Sequence, residues 1–318
     1  MKRGQSGLNC LLAVDKPVGP SSHDVVNRVR RALGERRVGH AGTLDPAASG
    51  VLVVGVGLAT RLLGMLTLDE KAYETTICFG AETSTDDAEG EVTRTAAVPA
   101  ELSDEAFAAR SVAALVGSFD QVPPSFSAIS VDGRRAYDRA RHGEQVELEA
   151  RHVTIHDARL LSLEVGERVC WTFYCHVSKG TYVRALARDL GREVGSAAHL
   201  VSLRRVSSGD VGLTSCVGLE ELEAGGLPFA ADHCLDPVTA LGYPFRTLSA
   251  SELEDVSCGR RIESGIVFDH AGALREPAQH ELVSLVSQGS LVGVWKREGS
   301  TLTCEANFPQ GIIGVGRG

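Results

Sequence analysis

The amino-acid sequence predicts an α+β protein of about two domains, and three observations lead to this prediction. The chain has 318 residues, enough for a substantial core and for about two domains. Up to about residue 240, short apolar strand patterns alternate with amphipathic helix patterns. From residue 246 onward, short apolar runs alternate with glycine turns, as in a small β-rich domain. We therefore expect one domain at 1–240 and a second at 246–318.

The first predicted elements are a short strand at 11–14 and a capped helix. Ser21 stands three residues before Asp24, which is typical of a capping box at a helix start. Valines then recur at helical spacing up to Leu33, opposite a face rich in arginine, and Gly34 marks the end of the helix. This helix leads the chain to residue 39.

The stretch GHAGTLDPAASG, residues 39–50, places a single carboxylate, Asp45, among small residues and turn formers. In one interpretation Asp45 tightens a turn before the apolar run 50–57, which is typical of a buried strand. In the other, the small side chains leave room for something large to reach Asp45. These twelve residues alone leave both interpretations open.

Further elements follow in chain order. They are a strand at 71–80, a polar loop at 83–99, an amphipathic helix at 104–116, an extended segment at 122–130, a basic stretch at 134–143, strands at 152–165 and 169–177, and a helix that opens at 178–184 and runs to Gly191.

The charge distribution is uneven. The net charge of −9 argues, over the whole chain, against a polyanionic partner. Residues 16–61, however, carry seven Lys or Arg against three Asp or Glu, whereas residues 249–308 carry five against nine. The basic excess surrounds the Asp45 stretch, so one basic face can still bind nucleic acid.

Composition and motifs argue against several classes of protein. There is no run of 18 apolar residues for a membrane span, and the apolar stretch near the start is too short for a secretory signal. Eight scattered cysteines without a CxxC pair predict reduced thiols, with neither a disulfide framework nor a metal site. The sequence lacks dinucleotide-binding, P-loop, HExxH and GxSxG motifs. We expect a cytoplasmic protein.

Four sequence blocks between residues 11 and 210 occur together in a fixed order. The first is GHAGTLDPAASGVL, preceded by DKPVGPSSHDVVNRVRR and followed by GLATRL. The others are KAYETTICFG, VPPSFSAISVDGRRAYDRARHGE, and VSKGTYVRALARDLG with GSAAHLVSLRRVSSG behind it. Together they resemble the TruB-type tRNA pseudouridine synthases.

The resemblance implies a pseudouridine synthase fold, with a mixed, largely antiparallel central sheet flanked by helices. It also implies a small PUA-like C-terminal domain. The family isomerises uridine at position 55 in the T-loop of tRNA, without cofactor or metal. We accordingly expect tRNA as the substrate, no required protein partner, no membrane contact and a monomer.

The resemblance also assigns roles to residues of this chain. Asp45 is expected to be the catalytic aspartate, Tyr73 to stack on the target base, and Arg184 to pair with Asp45. His40 would contact the displaced nucleotide, and Tyr182 would help line the pocket. Further contacts to the RNA are expected from Lys16, Lys71, Arg134, Arg135, Arg139, Arg141, His199 and Leu200, of which the four arginines lie in an RNA-gripping insertion at about 124–152.

The chemistry explains why one carboxylate suffices. Cleavage of the N1–C1′ bond develops positive charge on the sugar, which an ionised carboxylate can stabilise or attack. The base itself then acts as the second nucleophile, so water has to be excluded rather than activated. Direct attack of Asp45 on C1′ and a glycal-type route both stay open.

The sequence departs from the family pattern at Ser130, where the family often has lysine. The chain keeps the segment after PPSFSA that the guide-RNA-dependent branch lacks, which favours the stand-alone bacterial type. Two alternatives remain at this point. They are a tRNA-folding chaperone in which catalysis is secondary, and a guide-RNA-dependent synthase.

Overall fold

The structure is a computed structural model that describes residues 2, 4–67, 70–124, 130–131, 134–135, 148–269 and 271–316. The chain divides by its internal contacts into two units. The first unit combines residues 1–69 with 207–318, and the second comprises residues 70–206. The predicted division into 1–240 and 246–318 stays a prediction.

The α-helices of the described residues are α1 (Ser22–Leu33), α2 (Leu63–Leu66), α3 (Glu105–Ala113), α4 (Val183–Glu193), α5 (Leu219–Asp232), α6 (Pro237–Leu241) and α7 (Ala250–Ser257). Short 3₁₀ helices lie at Gly57–Arg61, Ala100–Ser103 and Leu213–Ser215.

The strands up to the middle of the chain are β1 (Cys10–Lys16), β2 (Val38–Ala41), β3 (Ala48–Val56), β4 (Lys71–Phe79), β5 (Ala81–Thr83), β6 (Val92–Thr95), β7 (Gly117–Gln121), β8 (Ser130–Val131), β9 (Arg134–Arg135) and β10 (Arg151–Val165). The later strands are β11 (Val169–Val177), β12 (Ala198–Ser208), β13 (Val211–Gly212), β14 (Cys216–Gly218), β15 (Phe245–Thr247), β16 (Ile262–Glu263), β17 (Val267–Phe268), β18 (Leu274–Arg275), β19 (Leu282–Ser287), β20 (Ser290–Glu298) and β21 (Thr301–Ile313).

Helix α1 confirms the predicted capped helix. The Ser21 hydroxyl accepts from the Asp24 N–H, and the Asp24 carboxylate accepts from the Ser21 N–H, which satisfies two of the free donors at the helix start. Gly34 ends the helix in the left-handed conformation, at φ 60°. The valines and Leu33 are buried, so the arginines lie on the opposite side of the helix.

In the first unit, β3 pairs antiparallel with both β1 and β2, and β1 pairs in parallel with β14. The two faces of β1 and β3 bury different partners. Leu12 and Leu52 pack with the valines of α1. Leu11 and Val53 pack on the other face with apolar residues of β20 and β21, including Phe308. The loop between β2 and β3, which carries Asp45, thus leads into β3, a strand that is buried on both faces.

The C-terminal part of the first unit forms a seven-stranded sheet in the order β16-β21-β20-β19-β15-β17-β18. Its pairs are antiparallel except for β15 with β19. Trp295 on β20 and Phe308 on β21 are both fully buried, in two different apolar clusters. The predicted β-rich tail is confirmed, although it also contains α7, which Ser249 and Glu252 begin with a capping box.

The second unit is built on strands in the order β12-β4-β11-β10-β7. Strands β4, β11, β10 and β7 pair antiparallel, and along β11 buried and half-buried residues alternate. Trp171 is fully buried beside Phe79, and its indole N–H donates to the carbonyl of Leu102 at 2.9 Å. The predicted helix at 104–116 is shorter than expected, and the Asp104 side chain caps it.

One expectation about the cysteines is wrong. Cys78 and Cys170 stand directly opposite each other on β4 and β11 and form a disulfide. Facing residues of an antiparallel pair are close enough for such a bond. The remaining cysteines are free thiols, as predicted.

The polar loop expected at 83–99 is partly a hairpin, since β5 and β6 pair antiparallel. In the basic stretch, β9 pairs with β8, while Arg139 and Arg141 lie outside the described residues. No helix in the described ranges is both long enough and apolar enough to cross a membrane.

Candidate active site

Asp45 lies in a β-turn that directly precedes β3. The N–H of Ala48 donates to the carbonyl of Asp45 at 3.0 Å, and Pro46 occupies the second turn position. Asp45 itself is half-buried, whereas Leu44 beside it is buried. The turn interpretation of the sequence is therefore confirmed.

The Asp45 turn is fastened to the start of α1. The Ser22 hydroxyl accepts from the Leu44 N–H at 2.8 Å and donates to the Leu44 carbonyl at 2.9 Å. On the other side, the Gly19 N–H donates to the Pro46 carbonyl at 2.8 Å. A carboxylate on a turn held at both ends has a defined direction, which is what positioned catalysis requires.

Lys16 supports the same turn from beneath. Its side chain has no exposed surface. Its ammonium donates to the carbonyls of Ala48 at 2.6 Å, Pro17 at 2.9 Å and Pro46 at 3.4 Å. A lysine this deeply buried holds the turn in this structure. Its predicted contact with RNA stays a prediction.

Replacing Lys16 with Met should lower the free energy of unfolding by about 3 kcal/mol, because buried carbonyls lose their donor. Urea denaturation of the purified variant measures this loss. Lys179→Met, at an exposed position, is the matched control and should stay within about 0.5 kcal/mol of wild type. Equal stabilities of the two variants would contradict the supporting role of Lys16.

In the second unit, Arg184 lies in the first turn of α4 with 8% of its surface exposed. Its Nη1 donates to the Thr85 carbonyl at 3.1 Å and to Oδ2 of Asp87 at 3.4 Å. The N-terminal end of a helix is electrostatically unfavourable for a cation. The buried carboxylate of Asp87 offsets this unfavourable energy for Arg184. The predicted pairing of Arg184 with Asp45 stays a prediction.

Asp87 is itself fixed by its own loop. Its Oδ1 accepts from the Thr85 hydroxyl at 2.5 Å and from the Glu89 N–H at 3.1 Å, and its carbonyl accepts from the Thr83 hydroxyl at 2.6 Å. At the edge of the same loop, Glu82 binds Arg192 of α4 at 2.6 Å. The hydrogen bond from Arg192 holds the pKa of Glu82 below its usual value. The loop is therefore clamped to the helix that carries Arg184.

Asp86, next to Asp87, adopts a left-handed backbone conformation with φ 60°. Its carboxylate accepts from Arg188 at 2.9 Å. Burial raises the pKa of Asp86 to about 6 and outweighs the opposite effect of the Arg188 and Arg184 guanidiniums.

This raised pKa predicts a pH dependence of stability. The folded state holds a proton on Asp86 more tightly than the unfolded state does, so the contribution of Asp86 to the free energy of unfolding falls as the pH rises from about 4 to about 6. Asp86→Asn removes this titration. The stability of the variant relative to wild type should therefore increase by roughly 2–3 kcal/mol over that range.

Urea denaturation at pH 4, 5, 6 and 7 measures this difference. Asp210→Asn, at an exposed position in the first unit, removes a carboxylate without the burial and serves as the control. A difference between Asp86→Asn and wild type that does not change with pH would contradict the prediction.

Several other predicted site residues lie in the second unit. Tyr73 and Lys71 lie two residues apart on one face of β4, and both are buried. The His199 ring contacts the Ala81 carbonyl through Nδ1 at 2.8 Å, and the Leu200 N–H donates to the Asp86 carbonyl at 3.0 Å.

Tyr182 precedes α4, and its backbone is held by the Gln121 side chain through bonds of 2.9 and 3.2 Å. The second unit therefore brings Arg184, Leu200 and Tyr182 to one helix start and the loop beside it. His40 lies in the first unit, half-buried on β2 opposite Val54. Arg134 and Arg135 lie on β9. Among the residues that the structure describes, no group of three or more His, Cys, Asp or Glu could hold a metal ion.

Comparison with known proteins identifies the family. The N-terminal domain model of the TruB family pseudouridylate synthases matches residues 30–183, and the C-terminal domain model of tRNA pseudouridylate synthase B matches residues 184–240. A tRNA pseudouridine synthase B of Thermobifida fusca is 49% identical over 260 residues, which cover 79% of this chain and 86% of that protein. The chain belongs to the TruB family.

A second TruB relative, the tRNA pseudouridine synthase B of Mycobacteroides abscessus, is 48% identical over 79% of this chain and 84% of its own length. Among solved structures, a chain of the archaeal box H/ACA sRNP Nop10–Cbf5 complex matches with a TM-score of 0.65 at 20% identity, over 95% of this chain and 86% of that one. At this identity the likeness shows a shared fold. The predicted family, enzyme class and fold are confirmed.

The TruB resemblance did not lead to Asp86 or Asp87. In the sequence they stand in ETSTDDAEG, which the polar composition assigns to a loop. The available signal was the hydroxyl-and-carboxylate pattern of that loop, since Thr83 and Thr85 are the residues that bind Asp87.

Proposed function

We propose that the protein isomerises uridine to pseudouridine at position 55 in the T-loop of tRNA. The observation that carries this proposal is the Asp45 turn. A single half-buried carboxylate sits on a turn tied to Ser22, Gly19 and Lys16, within the motif shared with the family. The relatives at 48–49% identity are tRNA pseudouridine synthases B, which supports the choice of substrate.

The reaction is an isomerisation, so it needs no second substrate. The N1–C1′ bond breaks, the base turns, and a C5–C1′ bond forms. The hydrogen on C5 leaves as a proton and N1 takes up a proton, so atoms and charge balance. Asp45 stabilises or attacks the electron-poor sugar carbon, and its orientation comes from the turn.

Arg184 would orient Asp45, because a guanidinium and a carboxylate form directional, charge-assisted hydrogen bonds. Asp87 and the Thr85 carbonyl fix the direction of that guanidinium. Tyr73 would supply an aromatic face for the flipped base, and His40 and Tyr182 would contact the displaced nucleotide and the pocket wall.

The remaining predicted contacts concern the RNA as a whole. Lys71, His199 and Leu200 belong to the second unit. His199 and Leu200 are hydrogen-bonded to the chain at Ala81 and Asp86, respectively. Arg134, Arg135, Arg139 and Arg141 would bind phosphates, since guanidiniums bind them strongly. We further propose a cytoplasmic monomer that acts alone, with the C-terminal sheet contacting the acceptor end of the tRNA.

The purified chain alone, incubated with a tRNA transcript that carries tritium at C5 of uridine, tests this proposal. Tritium must be released because C5 loses its hydrogen when it bonds to C1′. Release of tritium with no RNA other than the transcript and no second protein excludes a guide-RNA-dependent synthase. Refolding of tRNA without release would favour the chaperone alternative instead.

A further inference from the structure

The first unit contains a cavity of about 620 Å³ that no step of the mechanism uses. It is lined by Arg30, Arg36, Arg37, Val38, Gly39 and Thr60. Three of the described lining residues are arginines, and no described lining residue carries a carboxylate. The cavity also includes the start of β2, the strand that leads through His40 to the Asp45 turn.

Arg30 is fixed in place while one of its donors stays unused. Its Nη1 donates to the Asn27 side chain at 3.0 Å and its Nη2 to the Val38 carbonyl at 2.8 Å. Its Nε is buried and has no hydrogen-bond partner within the described residues. An unused buried donor is unusual, because such groups are nearly always paired.

The other two guanidiniums have donors to spare as well. Arg37 uses Nε to bind the Thr60 hydroxyl at 2.9 Å. Over the described part of the chain, neither the Nη atoms of Arg37 nor the exposed side chain of Arg36 takes part in a hydrogen bond or ion pair. Arg28 on the same helix is different, because Glu223 neutralises it at 2.5 Å.

The acid nearest in sequence does not neutralise this cluster. Glu35 is fully buried, and its carboxylate accepts from the backbone N–H groups of Gly4, Ser6 and Arg37 and from the Ser6 hydroxyl. Among the residues that the structure describes, no guanidinium binds Glu35. The cavity therefore offers several N–H donors and an uncompensated positive charge.

We propose that this cavity binds a backbone phosphate of the substrate RNA. Guanidiniums bind phosphate oxygens through paired N–H donors, and three arginines, one in α1 and two just before β2, can enclose a single phosphate. The inference rests on the proposed function, because it takes RNA as the substrate. It assigns a purpose to Arg30, Arg36 and Arg37, which the catalytic residues leave unexplained.

Salt-dependent binding of a synthetic T-arm stem-loop RNA tests the proposal, in an Asp45→Asn background that prevents turnover. Each phosphate contact contributes about 0.7–0.9 to the slope of log affinity against log salt. Arg36→Gln should weaken binding about tenfold. It should also reduce the slope by about 0.7–0.9, the contribution of one phosphate contact. The double variant with Arg37→Gln should reduce the slope no further, because both residues bind the same phosphate.

Arg31→Gln is the matched control. It removes the same charge from an exposed position next to Arg30 but outside the cavity, and it should leave the slope unchanged. Equal effects of Arg31→Gln and Arg36→Gln would overturn the proposal in favour of diffuse attraction. An unchanged slope in Arg36→Gln, which is exposed and so should fold, would overturn it too.

Tritium release by the wild-type protein separates this inference from the proposed function. If wild type releases tritium from tRNA but the Arg36→Gln slope is unchanged, only the phosphate site fails. If wild type releases none, the proposed function fails whatever the salt dependence shows.

Discussion

Asp45→Asn should abolish pseudouridine formation, with a loss of at least about 10⁴-fold in kcat. The amide cannot attack the sugar carbon or stabilise its positive charge as a carboxylate does. The fold should survive, because Asn is as suitable as Asp in the first position of a β-turn. The measurement is the single-turnover rate of product formation in a tRNA transcript.

Binding provides the control for Asp45→Asn. The variant should bind the T-arm stem-loop within about threefold of wild type, since Asp45 acts on the sugar rather than on the backbone. Asp210→Asn removes an exposed carboxylate from the same unit and should keep the wild-type rate. A variant at Asp45 that still forms product at a tenth of the wild-type rate would refute its catalytic role.

Asp87→Asn should lower kcat about 100-fold and change KM little, because it acts through Arg184 rather than on the RNA. The amide keeps an acceptor for the Thr85 hydroxyl and the Glu89 N–H but removes the negative charge beside the guanidinium. Arg184 is then held less firmly. Rates at saturating and limiting RNA separate the two kinetic constants.

Glu89→Gln is the matched control for Asp87→Asn, since Glu89 is an exposed carboxylate two residues away. It should leave both constants unchanged. A rise in KM without a fall in kcat would show that Asp87 serves RNA binding and would contradict its action through Arg184.

Local signals in the sequence predicted much of the first unit. Ser21, Asp24 and Gly34 carry standard helix-end chemistry, and the structure has α1 between them. Asp45 before proline predicted a turn, which the Ala48 hydrogen bond confirms. These features depend on residues a few positions apart, so they can be read without knowledge of the tertiary structure.

What the sequence could not predict depends on distant contacts. Cys78 and Cys170 are 92 residues apart and meet only through the register of β4 and β11. Lysine is usually exposed, so the burial of Lys16 under the turn has no local signal. The charged partner of Asp87 is Arg184, which lies 97 residues further along the chain.

The most direct test of the account is the location of pseudouridine in a tRNA transcript after incubation with the purified protein alone. Chemical mapping of each uridine in wild-type and Asp45→Asn reactions gives the answer. We expect pseudouridine at position 55 with wild type and none with the variant. Product at another position, or equal product from both proteins, would contradict it.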